Sequence, residues 1–289
     1  MKHKIKYLKR GDLRFPKNLE NLPDCPDVIY VWGNADILND FSLAIVGSRN
    51  CSEFGRIFAT DIAQKLNEKN IVIVSGLAYG VDSIAHRECL EAGGQTIAVL
   101  GGGFDHIYPA EHEGLANQIA EKGLLLSEYR PKMIATKYSF PTRNRIVAGL
   151  CDGLLITEAS IKSGTIHTKD FALDYGRNMY AVPGNIDSQS SALTNQIIKC
   201  GQAELVTDAN DILKDYQVSK ANNQQTMFDF SNLNDEEKEI VKILSSGMKT
   251  IDEIAKNSKL SINILNTYLT TLEISAIIKR MPGGYFALV

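Results

Sequence analysis

The sequence predicts an α/β protein: an extended Rossmann-like domain with a mainly parallel, doubly wound sheet, followed by a small C-terminal winged-helix domain. Short apolar runs alternate with amphipathic helical patterns over residues 41–214. These runs lack the polar alternation of half-exposed strands, which is typical of parallel strands covered on both faces. Residues 233–289 then show three short helical patterns and a hairpin, which together predict a winged helix.

Six apolar runs are the predicted strands of the sheet. In chain order they occupy residues 43–46, 71–74, 96–100, 124–126, 154–156 and 179–182. Apolar residues recur at helical spacing over residues 54–67 and 81–92, so helices are predicted after the first two strands. Strands that alternate with helices indicate a parallel sheet with helices on either side.

Residues 1–40 contain another apolar run at positions 28–32, and we interpret this segment as an extension that packs on the sheet. Residues 215–232 are polar and predict a linker. In the last domain, helices are predicted at residues 235–245, 250–257 and 262–272, and hairpin strands at residues 277–280 and 285–288.

The composition is that of an ordinary globular protein, with 44% hydrophobic and 22% charged residues and a formal net charge of −3. This balance excludes a uniformly basic, histone-like binder. The cysteines are odd in number and widely spaced, which argues against a disulfide framework and a structural zinc site. The sequence shows no secretory signal and no membrane-spanning run, so we expect a cytoplasmic protein.

One segment is locally basic. Between Tyr129 and Cys151 there are five basic residues and no acidic one, with aromatic residues interleaved. Its densest part, residues 137–145, has the sequence Lys-Tyr-Ser-Phe-Pro-Thr-Arg-Asn-Arg. Cations follow phosphates and any base can stack on an aromatic ring, so this composition suits single-stranded nucleic acid. An ordinary solvated loop is the alternative interpretation.

Four predicted strands are followed by turns rich in glycine and small hydroxyl residues. Such turns lie at the carboxyl edge of a parallel sheet, where helix N-termini face a ligand. Each turn alone can merely link a strand to a helix, but a row of them predicts a row of phosphate sites. The candidate residues are Gly47, Ser48, Arg49, Ser75, Gly76, Gly101, Gly103, Ser163, Gly164 and Thr165.

The turns do not match the fingerprints of common nucleotide cofactors. After the first strand the sequence is Gly-Ser-Arg-Asn-Cys-Ser, which is not the Gly-x-Gly-x-x-Gly of dinucleotide-binding proteins. No Gly-x-x-x-x-Gly-Lys-Ser/Thr loop occurs either, so we expect no cofactor. His106 and His112 lack a third ligand at metal spacing, and no metal site is expected.

Two sets of residues are candidates for catalysis or for structure. Asp82 and His86 lie four residues apart on one predicted helix and could form a dyad, but a structural hydrogen bond is favoured because no nucleophile accompanies them. Glu128 and Glu158 follow predicted strands, where catalytic carboxylates often lie. We expect them to pair with Arg143 or Arg145 instead, and we assign no catalytic residue.

With these residues the chain resembles the DprA (Smf) family of DNA-processing proteins. The resemblance covers about residues 12–212, and the C-terminal module is similar to the winged helix that many members carry. The matching stretches are residues 44–49, 75–82, 98–105, 108–109, 127–129, 140–150, 158–159, 163–165 and 181–184.

The resemblance implies a homodimeric, non-enzymatic protein that binds single-stranded DNA, protects incoming strands in natural transformation and helps load RecA recombinase. It implies a DNA-contacting arginine at Arg49. It also implies a groove whose basic and aromatic part is formed by Lys137, Phe140, Arg143 and Asn144. From the residues alone, Phe140 could instead be a core aromatic.

The chain departs from the family pattern at three places. Ala110 stands where many members have lysine after the Tyr-Pro pair, so one expected cation is missing. Leu193 replaces the glycine of a later Gly-Thr-Asn, and Gln202 interrupts a Gly-Ala pair. These changes affect the detail of the helix edge and leave the resemblance intact.

The predicted recognition helix carries no lysine or arginine over residues 261–272. A helix that enters a major groove normally brings cations for phosphates, so this composition disfavours a DNA-reading regulator. We expect the winged helix to contact protein or its own Rossmann domain. The remaining alternative is a phosphoribohydrolase that acts on nucleoside monophosphates, but its Gly-Gly-x-Gly-Thr-x-x-Glu turn has Thr168 here in place of the glutamate.

Overall fold

The computed structural model describes residues 5–216, 233–244, 249–258, 260–275, 277–281 and 285–288. The chain divides into two compact units, residues 1–213 and 214–289. Most of the predicted linker, residues 217–232, lies outside the described residues. The predicted limits of the linker and of the winged-helix domain therefore stay predictions.

The first unit is built on a nine-stranded sheet within the described residues, with the order β1-β2-β6-β5-β4-β3-β7-β8-β9. All neighbours from β6 to β9 are parallel, whereas β1 and β2 join one edge in antiparallel fashion. The strands are β1 Lys6–Lys9, β2 Val28–Gly33, β3 Ser42–Val46, β4 Val72–Ser75, β5 Thr96–Leu100, β6 Leu124–Ser127, β7 Gly153–Ile156, β8 Asn178–Ala181 and β9 Glu204–Leu205.

The six predicted strands are confirmed as β3 to β8, with ends that shift by at most one residue. The predicted N-terminal extension packs on the sheet as strands, because Tyr30 of β2 pairs with Ser127 of β6 and β1 pairs with β2. The pattern missed β9, whose two residues are exposed and carry no run of apolar side chains.

Helices cover both faces of this sheet. Side chains of β5 alternate between the two layers: Ile97 and Val99 pack into one hydrophobic cluster, and Ala98 and Leu100 into another. This alternation confirms a doubly wound sheet. The helices are α1 Lys17–Glu20, α2 Glu53–Asn67, α3 Val81–Glu91, α4 Glu113–Lys122, α5 Ser139–Leu150, α6 Thr165–Asp174, α7 Ala192–Lys199 and α8 at residues 210–216.

Helix α5 corrects the interpretation of the basic and aromatic segment as a loop. The helix begins at Ser139, and Pro141 lies in its first turn, where a proline has no intrahelical hydrogen bond to lose. Its second half buries Ile146, Val147 and Leu150 against the sheet. Residues 139–145 are therefore held by a packed helix, and only residues before it belong to a loop.

The direction of the sheet order changes at β3, which has β4 on one side and β7 on the other. The chain leaves β3 into α2 and leaves β7 into α6, and these two helices lie on opposite faces in a doubly wound sheet. A crevice opens between such connections at the carboxyl ends of the strands, and ligands bind there in open α/β sheets.

The second unit has the predicted winged-helix elements. Its described helices are α9 Asp235–Leu244, α10 Ile251–Ser258 and α11 Ile262–Ile274, and its described strands are β10 Lys249–Thr250, β11 Ile278–Met281 and β12 Tyr285–Leu288. The strands pair in the order β10-β12-β11. Leu265, Leu269 and Leu272 of α11 are buried in a core shared with α9 and α10. Within the described residues, no helix combines the length and the apolarity that a bilayer crossing requires.

Candidate nucleic-acid interface

An open cleft of about 850 Å³ lies at the carboxyl ends of β3, β4 and β7. Eleven of the fourteen predicted site residues line it, and three do not. The lining residues among the predictions are Gly47, Ser48, Arg49, Gly76, Lys137, Phe140, Arg143, Asn144, Ser163, Gly164 and Thr165. Tertiary structure thus gathers segments that are far apart in sequence.

The turn after β3 is held from both sides. Ser48 N–H donates to the Glu158 carbonyl at 2.7 Å, and the Ser48 carbonyl accepts from Val81 N–H at 3.2 Å. A Cβ on Gly80 would lie 2.2 Å from the same Ser48 carbonyl oxygen, and Gly80 has φ +73°, so this close approach requires glycine. The backbone is fixed in this way, while the Arg49 side chain is exposed at the cleft.

The turn after β4 is organised by a buried carboxylate. Asp82 accepts hydrogen bonds from Gly76 N–H at 3.1 Å and from Ala78 N–H at 3.4 Å. His86 is also buried, but its Nδ1 lies 2.7 Å from Thr96 Oγ1, which donates to the Ile73 carbonyl. Asp82 and His86 therefore hydrogen-bond different partners within the fold, and the structural role that the sequence favours stays a prediction.

Arg143 is buried at only 4% exposure, which corrects its assignment as a phosphate-contacting cation. Its Nη1 donates to the Gly76 carbonyl at 2.6 Å and also to the Val99 carbonyl, and its Nε donates to Asn144 Oδ1 at 3.2 Å. Burial lowers the pKa of Arg143 to about 10, against an opposing effect of Asp82. The guanidinium stays charged at neutral pH and ties α5 to the ends of β4 and β5.

Ser75, Gly101 and Gly103 do not reach the cleft, so their predicted contact with a ligand is corrected. Ser75 is fully buried, and its hydroxyl donates to the Ile45 carbonyl at 2.7 Å. A Cβ on Gly101 would lie 2.8 Å from Phe140 Cδ1, and one on Gly103 would lie 2.1 Å from the Pro131 carbonyl oxygen. These glycines let the residue 130–140 segment pack closely over the end of β5.

The turn after β7 brings hydroxyl groups to the N-terminus of α6. Ser163 Oγ lies 2.9 Å from Thr165 Oγ1, and Thr165 Oγ1 lies 3.3 Å from the Gly47 carbonyl, so this turn adjoins the one after β3. Asn144 approaches from α5, with Nδ2 3.5 Å from the Gly164 carbonyl. The positive end of the α6 dipole faces the same region and favours an anion there.

An exposed cation lies beside an aromatic ring in this cleft, and a second exposed cation lines the same cleft. The Arg49 Cζ lies 6.0 Å from the centre of the Phe140 ring, and Lys137 is exposed on the turn that leads into α5. Phe140 is half-buried: one edge faces Gly101, and the ring remains part of the cleft wall. It is therefore neither a fully buried core residue nor a free surface residue.

The carboxylates predicted to pair with arginine divide into two cases. Glu128 forms an ion pair with Arg145, as expected, and Asp24 lies 3.8 Å from the same arginine. Glu158 does not pair with Arg143 or Arg145. Its Oε2 accepts from Ser52 N–H at 2.8 Å beside the first turn of α2, because the packing of that turn brings the amide close.

Sequence reasoning missed several cleft residues. Tyr108 lines the cleft, and its ring centre lies 5.1 Å from that of Phe140. Asn50, Ser160 and His167 also line it. Tyr108 belongs to the Tyr-Pro pair that the sequence singled out, but its approach to Phe140 depends on folding across 31 intervening positions.

Comparison with known proteins places these features in a family. The family model for DNA recombination-mediator protein A matches residues 6–217, and the model for the DprA winged helix domain matches residues 230–284. The DNA processing protein DprA of Streptococcus pneumoniae is 41% identical over 203 residues, which are 70% of this chain and 71% of that protein. Protein Smf of Escherichia coli is 34% identical over 288 residues, or 95% and 75% of the two chains.

Solved structures agree with this comparison. The X-ray structure of DprA from S. pneumoniae has a TM-score of 0.70 and 40% identity, covering 73% of this chain and 74% of that one. DNA processing protein A from Helicobacter pylori, whose structure was described for its single-stranded DNA binding mode, has a TM-score of 0.69 and 29% identity, covering 75% and 98%. From the family models and these relatives, the chain belongs to the DprA (Smf) family of DNA-processing proteins.

Proposed function

We propose that the protein binds single-stranded DNA along the cleft, with Arg49 and Lys137 contacting phosphates and Phe140 stacking a base. The observation that carries this proposal is the placement of the exposed Arg49 beside the half-buried Phe140 ring, with the exposed Lys137 in the lining of the same cleft, on a chain whose net charge is −3. The H. pylori relative described for its single-stranded DNA binding mode supports the same ligand.

The geometry favours a single strand over a duplex for a physical reason. In a duplex the bases are stacked and paired, so Phe140 has no base face to contact. In a single strand every base offers a π-face, and a cationic groove follows the backbone whatever the sequence. We therefore expect strong preference for single strands and little dependence on base sequence.

A salt titration tests the phosphate contacts. Affinity for oligo-dT, measured by fluorescence anisotropy, falls with salt by a logarithmic slope of about 0.7 for each neutralised phosphate. The Arg49→Ala variant is expected to reduce the magnitude of this slope by about that amount. Arg87→Ala removes an exposed arginine of α3 that does not line the cleft, and it serves as the matched control. Equal affinity for duplex, or an unchanged slope in Arg49→Ala, would contradict the proposal.

The stacking contact has its own test. Phe140→Ala is expected to weaken oligo-dT binding by about 1–3 kcal/mol, the usual contribution of a base stacked on an aromatic side chain. Its salt slope should match the wild type, since no charge is removed. If the variant folds and binds with full affinity, Phe140 supports the cleft without touching DNA.

The biological role follows from family membership and is also proposed. We infer that the protein acts in the cytoplasm as a homodimer, protects incoming strands in natural transformation and helps load RecA recombinase onto them. Analytical ultracentrifugation tests the dimer. RecA filament formation on strands coated with single-strand-binding protein tests loading, and no acceleration by this chain would remove that part of the proposal.

We propose a binding role without catalysis, and the phosphoribohydrolase alternative is open to direct test. That activity needs a glutamate where this chain has Thr168, which is buried at the cleft. Among the described lining residues the carboxylate is Asp82, whose Oδ2 accepts from the amides of Gly76 and Ala78. Incubation with nucleoside monophosphates should release no free base by chromatography; release that Asp82→Asn abolishes would establish the enzyme.

A further inference from the structure

Two exposed tyrosines add aromatic surface beyond that of Phe140. Tyr108 is 54% exposed and Tyr79 is 40% exposed. Tyr108 follows β5 and contacts Phe140 at 5.1 Å between ring centres, with the ring planes 47° apart. Tyr79 comes from the turn after β4, whose neighbours Gly76 and Ala78 line the cleft. We call Tyr79 and Tyr108 the tyrosine platform.

Tyr79 is fixed at two points. Its hydroxyl donates to Glu111 Oε2 at 2.7 Å, and its ring meets His112 edge-on at 5.1 Å. His112 is itself buried, with Nδ1 2.9 Å from the Leu77 carbonyl. The ring is therefore held in one orientation although much of its surface faces solvent. A ring ordered in advance loses little conformational entropy when a flat ligand stacks on it.

The surroundings of Tyr79 raise the pKa of its phenol. The hydrogen bond to Glu111 is the main cause that raises the pKa of Tyr79, and the neighbouring Tyr108 adds a smaller electrostatic effect in the same direction. The Tyr79 phenol therefore stays neutral at physiological pH. A neutral aromatic surface next to Phe140 offers stacking area but no charge for phosphate.

The chain segment that carries Tyr108 supplies no cation for a phosphate. No lysine or arginine occurs from residue 88 to residue 121, and the exposed acids Asp105 and Glu111 lie in this segment. Ala110, at the position where many family members have lysine, lies two residues after Tyr108 and adds no cation. The phosphates of a bound strand are attracted instead to Arg49 and Lys137.

We propose that the tyrosine platform is a second base-binding site, which stacks unpaired nucleobases of the nucleotides that follow the one at Phe140. This inference rests on the proposed single-strand function and deepens it. It assigns the bases of the strand to the rings of Phe140, Tyr108 and Tyr79, and the phosphates to Arg49 and Lys137. Purines and pyrimidines both fit, because stacking uses only the face of the ring.

The first experiment measures oligo-dT affinity of full-chain variants. Tyr108→Ala is expected to bind roughly five-fold or more weakly, which corresponds to the lower limit of one stacked base. Tyr108→Phe keeps the ring and should bind as the wild type does. The salt slope should stay unchanged in both variants. Tyr7→Ala is the matched control, because Tyr7 is 60% exposed on strand β1 and does not line the cleft.

The second experiment separates stacking from any general disturbance of the cleft. Oligonucleotides of equal length and charge, with abasic sites replacing the bases, offer nothing to stack. The wild type should lose affinity for them, and the difference between wild type and Tyr108→Ala should disappear. Tyr79→Ala should weaken binding of long oligo-dT more than binding of short oligo-dT, since Phe140 and Tyr108 line the cleft whereas Tyr79 lies outside its lining.

The outcomes distinguish a failure of the tyrosine-platform hypothesis from a failure of the proposed function. If Tyr108→Ala binds as the wild type while Arg49→Ala and Phe140→Ala bind weakly, the platform is wrong and the function stands. A Tyr108→Ala loss that persists on abasic strands would also overturn the platform. If Arg49→Ala and Phe140→Ala are both unaffected, the cleft itself is not the DNA site. Circular dichroism confirms that each variant is folded.

Discussion

Arg143 Nη1 lies 2.6 Å from the carbonyl oxygen of Gly76, so a buried side chain of helix α5 holds the end of strand β4. The same guanidinium also bonds the Val99 carbonyl at the end of β5. One arginine beneath the cleft surface, Arg143, thus joins the ends of two strands that support the cleft. Its charge is balanced nearby by Asp82, which in turn holds the amides of Gly76 and Ala78.

We predict that Arg143→Ala destabilises the protein rather than removing a phosphate contact. The substitution leaves the Gly76 and Val99 carbonyls without their buried donor, and each buried polar group left unsatisfied costs about 1–3 kcal/mol. Urea denaturation should show this loss in the free energy of unfolding. In the fraction of Arg143→Ala that folds, oligo-dT affinity should depend on salt with the same slope as in the wild type. Arg49→Ala, in contrast, should reduce that slope.

Arg87→Ala provides the control for this measurement, because exposed substitutions usually change stability by less than about 0.5 kcal/mol. If Arg143→Ala unfolds at the wild-type urea concentration and lowers the salt slope, Arg143 reaches the phosphates and our correction of its role fails.

We predict that Gly101→Ala weakens oligo-dT binding by displacing Phe140. The added Cβ would lie 2.8 Å from Phe140 Cδ1, so the ring or the turn must move. The loss should be smaller than that of Phe140→Ala, and the salt slope should be retained. Gly114→Ala is the control, since nothing lies within 4 Å of its added Cβ. Equal affinity of both variants would mean that the position of Phe140 does not matter for binding.

We predict that a chain ending at residue 216 keeps most of its affinity for single strands. All residues that line the cleft belong to the first compact unit. Helix α11 of the second unit has no lysine or arginine and exposes Ile262 and Ile264, a surface better suited to protein than to phosphate. Anisotropy with oligo-dT compares the two chains directly. A large loss in the shortened chain would assign the winged helix to DNA binding.

We predict that His86 makes the protein less stable in mild acid. Burial lowers its pKa from 6.5 to about 3, so the folded state keeps this imidazole neutral. Between these values the unfolded state binds the extra proton, and stability therefore falls as the pH decreases below about 6.5, by up to about 1.4 kcal/mol per pH unit.

Urea denaturation at pH 7 and pH 5 measures this effect. His86→Gln should show a smaller decrease in unfolding free energy than the wild type, by about 2 kcal/mol over this interval. His106→Gln, which changes an exposed histidine, should behave as the wild type does. The same acid dependence in His86→Gln and the wild type would show that His86 is not its source.

The sheet could be predicted from the sequence because its strands are continuous apolar runs buried on both faces. Such runs carry their own signal, and β3 to β8 follow it to within one residue. Helix α5 carried a weaker signal. Its first turns contain Pro141 and cations, and its apolar residues Ile146, Val147 and Leu150 occur only in its second half. The segment therefore suggested a loop until its packing was known.

The identities and order of the residues were sufficient to place the chain in its family and to locate the sheet edge that carries the cleft, because parallel strands and glycine-rich turns are local patterns. They could not decide which arginine is available to a ligand. Arg49 and Arg143 both occur in motifs typical of the family, yet one is exposed and the other is buried. Burial depends on which distant segments pack over a side chain, so only the tertiary structure shows that Arg49 is exposed at the cleft and that Arg143 is buried beneath it. It also brought Tyr108 to Phe140, a contact that no local pattern contains.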